Sequence, residues 1–383
     1  MSLDLNPSLS AARDAGKLPG ITAYHRLDGP GSSFDLREFQ SAFWRVPAGQ
    51  VPADAAAFGL WSRALPRTVA ITISTGSKIE AHPHKAGHLG LVSHDFGVDY
   101  DVPAGKVPYA KETWLIKLMD VFGISGVRFD LSNLISGTKS SGLGGSATIA
   151  TAVALLANEL AGAPFTREQI VPMAALMEQD LGISITGSQE QSNVVYGGVT
   201  DYVWFPWGLP GIAGGFGTSL RRTLLNEDDY PELRSHMGLY HSGTERLSSK
   251  VNAVWLERLR DPEGYDRHNA ALALAYDFRE GLRTRDWARV SLAVGSYRQI
   301  RSELCGAYMT RECHDIQAKC AEFGAESFPL GAGGGGAIMI FGRSSDSLSG
   351  LDRALGAAYR RIDFDLKPRG HEFHNLPAKP ATL

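Results

Sequence analysis

The spacing of apolar and polar positions predicts a series of mixed elements along the chain. Residues 68–74 read T-V-A-I-T-I-S, with Val69, Ile71 and Ile73 on one face, which predicts a half-buried strand. Residues 75–78 (T-G-S-K) then read as a turn into a second strand from Ile79. Leu115, Leu118, Met119 and Phe122 stand at helical spacing and Gly123 ends that helix; Val127, Phe129 and Leu131 alternate as another strand. Ile149, Val153, Leu156 and Leu160 form one stripe at i, i+4, i+7 and i+11, which predicts a long helix ended by Gly162. Thr166 and Gln169 fit a capping box for a further helix running towards Glu178, with Pro172 expected to kink it or delay its start.

The second half is poorer in strands. Residues 199–205 are strand-like, and 206–210 (P-W-G-L-P) read as a seam between halves. Helical stretches over 247–259, 270–280 and 286–300 lead to a buried strand over 337–341. Strands and helices mix without a regular βαβ period, which predicts an α+β fold. Residues 1–35 are rich in Gly, Pro, Ser and Asp without sustained periodicity and read as a loosely packed N-terminal extension. The expected division is therefore an extension over 1–35 and domains over 36–205 and 206–383.

Composition narrows the class. The 383 residues are 43% hydrophobic and 21% charged with a net charge of −3, as in an ordinary globular protein. Nothing in that balance would recruit nucleic acid or an anionic membrane surface. The apolar stretch around 147–157 is interrupted by Thr148 and Thr151 and is too short for a bilayer span, and residues 1–6 lack the pattern of a signal peptide. Three cysteines (Cys305, Cys313, Cys320) do not make a disulfide framework and read as buried thiols at helical spacing. His82, His84 and His88 cluster without a carboxylate pattern and read as a surface loop. A cytoplasmic protein is the expectation. Glycine stands out: 43 residues, about 11%, against a usual ~7%.

Part of that excess lies in residues 136–146 (S-G-T-K-S-S-G-L-G-G-S), directly before the long helix. Glycines let a backbone approach a ligand closely, and a helix start offers unpaired N–H groups and the positive end of its dipole. The segment reads either as a phosphate cradle or as a loop that needs glycine only to turn. A Walker loop would require Gly-Lys-Ser/Thr, which is missing at its end. A dinucleotide fingerprint is nominally met by Gly142, Gly144 and Ala147, but polar residues separate it from the preceding strand. Asp95-Phe-Gly97 lacks the catalytic loop that a protein kinase would place before it.

Residues 142–147 (G-L-G-G-S-A) resemble the central motif of the GHMP kinases, Pro-x-x-x-Gly-Leu-Gly-Ser-Ser-Ala, with the proline replaced and Gly145 in place of the first serine. The order continues: G-S-Q-E-Q at 187–191 and Y-G-G at 196–198 are similar to segments of sugar-1-kinases of the heptose-7-phosphate type. Residues 239–248 (L-Y-H-S-G-T-E-R-L-S) resemble that group's Tyr-Thr-Gly-x-x-Arg-x-Ser. Residues 331–336 (G-A-G-G-G-G) resemble the third family motif, and Arg45 with Asp54 resembles the ends of the first, Arg-Ile-Ser-Phe-Ala-Gly-Gly-Gly-Thr-Asp.

This resemblance implies a two-domain GHMP-kinase-like fold with nucleotide and sugar sites in the cleft between domains. It implies a kinase that uses ATP and Mg2+ to phosphorylate the anomeric hydroxyl of a sugar or sugar phosphate. The nucleotide would lie on Lys139, Ser141, Gly142, Leu143, Gly144, Gly145 and Ser146, with Ser146 and Glu178 on the metal. Glu190 stands at the family's catalytic aspartate, with Arg45 as the arginine that keeps it ionised. Asp54, Gln189, Gly198 and Arg246 would contact the sugar, and Gly333, Gly334 and Gly335 would buttress the phosphate loop. Two other readings follow from the departures: a sensor that binds ATP and sugar without turnover, and a nicotinamide-dependent oxidoreductase.

Overall fold

A computed structural model describes residues 18–46, 63, 65–95, 97–134, 142–206, 219–244, 248–356 and 358–376. Its strands are β1 (Gly20–Asp28), β2 (Arg67–Pro83), β3 (His88–Ser93), β4 (Val98–Pro103), β5 (Val127–Asn133), β6 (Val199–Trp204), β7 (Ser219–Leu225), β8 (Met237–His241), β9 (Ala325–Pro329), β10 (Ala337–Gly342), β11 (Arg360–Arg361) and β12 (His371–His374). The helices that matter below are α1 (Arg37–Phe43), α2 (Trp114–Val121), α3 (Gly145–Leu160), α4 (Arg167–Asp180), α5 (Gln189–Tyr196), α6 (Ser248–Arg258), α7 (Pro262–Thr284), α8 (Trp287–Leu304) and α9 (Arg311–Glu322).

The first sheet runs β12-β1-β2-β5-β3-β4, with β6 and β7 continuing from β2; only β3 and β5 pair in parallel. The second is an antiparallel sheet in the order β11-β8-β10-β9. This is the expected α+β class. Strand β2 is the spine of the first sheet: β1 pairs along one side, while β6 and then β5 take successive stretches of the other. The turn expected at 75–78 is therefore absent, and the strand runs straight through. Gly76 sits in mid-strand because β1 comes so close that a Cβ there would lie 2.0 Å from the Ala23 carbonyl oxygen.

Residues 18–35 are no loose extension. β1 is buried along its whole length and lies between β12 and β2. A strand covered on both faces loses clean alternation, and here the face of Ile21, Ala23 and Leu27 carries a histidine at position 25. Residues 1–17 lie outside the described residues, as do 207–218 and most of the expected seam. The return of β12 to β1 also means that the segment 206–383 does not stay with the second sheet.

Helices α2, α3 and α5 cover the first sheet and α4 packs on α3, with Val153 and Leu156 of α3 in one core with Ile79 and Phe129. A second core runs from Leu27, Phe39 and Ile71 to Trp255, Phe278 and Phe341, so the halves share packing. Helix α4 starts at Arg167 with the expected capping box, and Pro172 lies inside it without delaying its start. The three thiols are buried and free, but Cys305 caps α8 while Cys313 and Cys320 belong to α9. His82 and His88 stand on β2 and β3 rather than in a loop.

Candidate active site

The loop before α3 needs its glycines. Gly142 (φ +93°) and Gly144 (φ +79°) hold the left-handed conformation that side chains disfavour. A Cβ on Gly144 would also stand 2.4 Å from Glu190 Cγ. Leu143 points the other way, into the core. The turn leaves the first N–H groups of α3 without partners inside the helix, facing a cavity of about 320 Å³.

Ser146 opens that helix, and its hydroxyl donates to Glu178 Oε1 at 2.8 Å. Ser184 Oγ donates to the same oxygen at 3.0 Å, and Gln191 Nε2 reaches Oε2 at 3.4 Å. Glu178 is 1% exposed. Burial pushes its carboxyl up to about 7, against the hydroxyl hydrogen bonds that favour ionisation. A buried carboxylate served by neutral donors, beside a hydroxyl and a helix start, fits a divalent cation that keeps waters and phosphate oxygens in its shell. Ser146 and Glu178 are the two residues that would hold it.

The other side of the cavity is organised by Arg26 of β1, which is buried. Its Nη1 donates to the Gly142 carbonyl at 3.1 Å and lies 3.2 Å from Asp28 Oδ1; its Nη2 pairs with Glu190 Oε1. The Asp28 carboxylate accepts from the Gly331 N–H at 3.0 and 3.1 Å. One guanidinium thus links the loop before α3, Glu190 and, through Asp28, the glycine-rich segment before β10. Asp35 completes the group, accepting from the Gln189 N–H at 3.0 Å. Gly187 allows this approach, since a Cβ there would lie 2.0 Å from Asp35 Oδ2. Burial, then the charge of Glu190, raises the Asp35 carboxyl well above its usual range.

Several expected residues land elsewhere. Arg45 is exposed and donates to the Tyr265 hydroxyl at 2.7 Å, so the arginine of Glu190 is Arg26. A weak signal was available: Arg26 and Asp35 have the same separation as Arg45 and Asp54, and 29–35 (G-P-G-S-S-F-D) carry two glycines where 46–54 carry one. Gln189 is buried, its Nε2 donating to the Val69 carbonyl at 3.3 Å, and contacts the site only through its backbone. Gly198 accepts from Thr72 at the start of β6, away from the cavity. Gly333 and Gly335 have positive φ and pack against Tyr308 and Thr244, while Gly334 donates to the Tyr308 carbonyl. Gly331 and Ala332 are the members of that segment that line the cavity. Asp54, Lys139, Ser141 and Arg246 lie outside the described residues.

Residues 109–198 match the family described as the GHMP kinases N terminal domain. Solved structures with that fold cover nearly the whole chain. A Streptococcus pneumoniae phosphomevalonate kinase in complex with phosphomevalonate and AMPPNP superimposes with a TM-score of 0.68 at 10% identity, over 91% of this chain and 99% of that one. The fold is that of the GHMP kinases. A Lin0012 protein from Listeria innocua gives a TM-score of 0.72 at 13% identity, covering 93% of this chain and 99% of that one. A D-glycero-D-manno-heptose 1-phosphate kinase from Bacteriodes thetaiotaomicron gives 0.65 at 15% identity, over 93% and 99%. No curated protein matches the chain. Within this GHMP-kinase fold, the cavity takes its walls from both halves, with His25, Arg26, Asp35 and Glu190 on one side and Asn252, Gly331 and Ala332 on the other. Among the described residues no helix is long and apolar enough to cross a membrane.

Proposed function

We propose that the chain is an ATP-dependent small-molecule kinase that phosphorylates the anomeric hydroxyl of a sugar or sugar phosphate, a heptose 7-phosphate or a similar long-chain sugar, giving ADP and a sugar 1-phosphate. One observation carries the reading: a glycine-bent helix start, a buried Ser146–Glu178 pair and an Arg26-held Glu190 converge on one cavity. Phosphoryl transfer needs those three things, namely a phosphate cradle, a site for the divalent cation and a group at the attacking hydroxyl. Bound Mg2+ would neutralise charge on the phosphate oxygens, held by Ser146 and Glu178.

Glu190 accepts the proton of the sugar hydroxyl as its oxygen bonds to the terminal phosphorus, and the bond to the ADP oxygen breaks. Arg26 keeps the Glu190 carboxylate in place, and Asp35 binds a neighbouring hydroxyl. Gln189 positions Asp35 through its backbone N–H. Lys139, Ser141 and Arg246 remain proposed phosphate and sugar contacts from the resemblance alone, and the place of the protein is proposed to be the cytoplasm. The choice of an anomeric acceptor rests on residues 187–191, 196–198 and 243–246 and on the likeness to the heptose kinase structure.

The test is a screen of sugars and sugar phosphates with ADP release as readout, followed by NMR of the product. An anomeric phosphate is an acetal ester, so the product should lose its reducing end and be labile to acid. A product that still reduces would place the phosphate elsewhere. ADP release with none of the sugars, in a chain that binds ATP and a sugar, would favour the sensor reading instead.

A further inference from the structure

His25 is a buried polar group of this cavity that the roles above leave unused. It stands on β1 between Tyr24 and Arg26, is 3% exposed, and lines the cavity. Its Nδ1 lies 3.1 Å from Thr75 Oγ1, while Nε2 is buried with no hydrogen-bond partner among the described residues. Leaving such an atom unpaired costs folding free energy, and at the cavity wall Nε2 is placed where a ligand oxygen could pair it. Nε2 stands 3.9 Å from where a Cβ on Gly145 would be, beside the first residue of α3. Among the described residues outside its own stretch of helix, nothing else comes within 4 Å of that point, so glycine at 145 leaves this space open.

Desolvation, and then the charge of Arg26, holds the His25 imidazole down at about 4, so it is neutral at pH 7. A Thr75 hydroxyl that donates to Nδ1 would put the ring proton on Nε2. The Nη1 and Nη2 atoms of Arg26 are already engaged by Asp28, Glu190 and the Gly142 carbonyl. We propose that His25 Nε2–H is a phosphate contact: a neutral donor to an oxygen of the nucleotide phosphates held at the start of α3. The proposal rests on the kinase reading and adds to the site a group delivered by β1 rather than by the loop.

The decisive measurement follows the histidine ring nitrogens of the 15N-labelled full chain by long-range 1H–15N NMR during titration with Mg2+ and AMPPNP. His25 is identified by its loss in His25→Gln. On binding, its Nε2 resonance should move and its ring proton should become protected from exchange. In parallel, His25→Phe should weaken AMPPNP binding on the order of ten- to a hundred-fold, the effect of losing one hydrogen bond to a charged acceptor. His25→Gln, which keeps a donor at a similar reach, should recover most of that loss. If wild type binds AMPPNP while its His25 resonance stays put and His25→Phe binds as tightly, the contact is refuted and the kinase reading stands. If wild type binds no AMPPNP, both fall. Should His25→Phe fail to fold, the wild-type resonance decides alone.

Discussion

Replacing Glu178 by glutamine keeps the shape of the side chain and removes a buried carboxyl, and the effect on stability depends on pH in a direction the site dictates. An ordinary glutamate ionises near 4.5, and burial pushes Glu178 up to about 7. In metal-free buffer the folded chain therefore holds this proton more tightly than the unfolded chain does. The stabilisation is fully present below pH ~4.5 and is lost as the pH rises through 7. Its whole size is about 3 kcal/mol at ~1.36 kcal/mol per pKa unit, of which about 2 to 3 kcal/mol falls between pH 5 and pH 8. Glu178→Gln has no such proton to lose, whereas Asp35 titrates in both proteins and largely cancels in the comparison. Urea unfolding followed by tryptophan fluorescence across that range should show the variant gaining on wild type by this amount. Mg2+ with ADP at pH 8 should then raise the stability of wild type more than that of the variant, since the ionised carboxylate is the proposed ligand. Parallel stability curves for the two proteins would refute the idea that Glu178 is a desolvated carboxylate waiting for a cation.

Three further outcomes are expected. Glu190→Gln should lower kcat with little change in sugar KM, and Glu190→Asp should also lose activity, because withdrawing the carboxylate by ~1 Å can cost ~10²-fold in rate; steady-state kinetics with the acceptor found in the screen decides, and wild-type turnover in Glu190→Gln would remove the base role. Arg26→Lys keeps the charge but loses the forked contacts to Gly142, Asp28 and Glu190, and should cut kcat on the order of tenfold or more, whereas Arg45→Ala should turn over like wild type; the reverse ranking would return the role to Arg45. Gly144→Ala forces a side chain into the left-handed region and against Glu190, and should cost about 1–3 kcal/mol in thermal or urea unfolding together with most of the turnover; unchanged stability would show that the loop does not need that conformation.

The elements most legible in the sequence were those whose local pattern and tertiary surroundings agree. Helix α3 announces itself by its apolar stripe and by the glycines before it, and α4 by a capping box that forms as expected. Strand β10 is short, apolar and buried on both faces, and reads as such. The pairing of Ser146 with Glu178 is also anticipated by the motif order, although residues 32 positions apart meet only once α3 and α4 pack.

What the sequence concealed lies on β1. Its apolar alternation is broken by His25, and Arg26 and Asp28 look like surface charges until the sheet closes over them. Arg45 and Arg26 present the same residue type at the same distance from an aspartate, and one more glycine beside Arg26 is a weak local signal for ranking them. Pairing ranks them: β1 joins β2 along its length, which aims Arg26 at Glu190, whereas Arg45 follows α1 out to Tyr265. The amino acids alone determined which chemistry was present, namely the glycine-bent helix start, the hydroxyl and the acidic side chains. Only the tertiary structure decided which of those charges share a desolvated cavity, because burial and long-range pairing, not spacing along the chain, set their partners and their protonation.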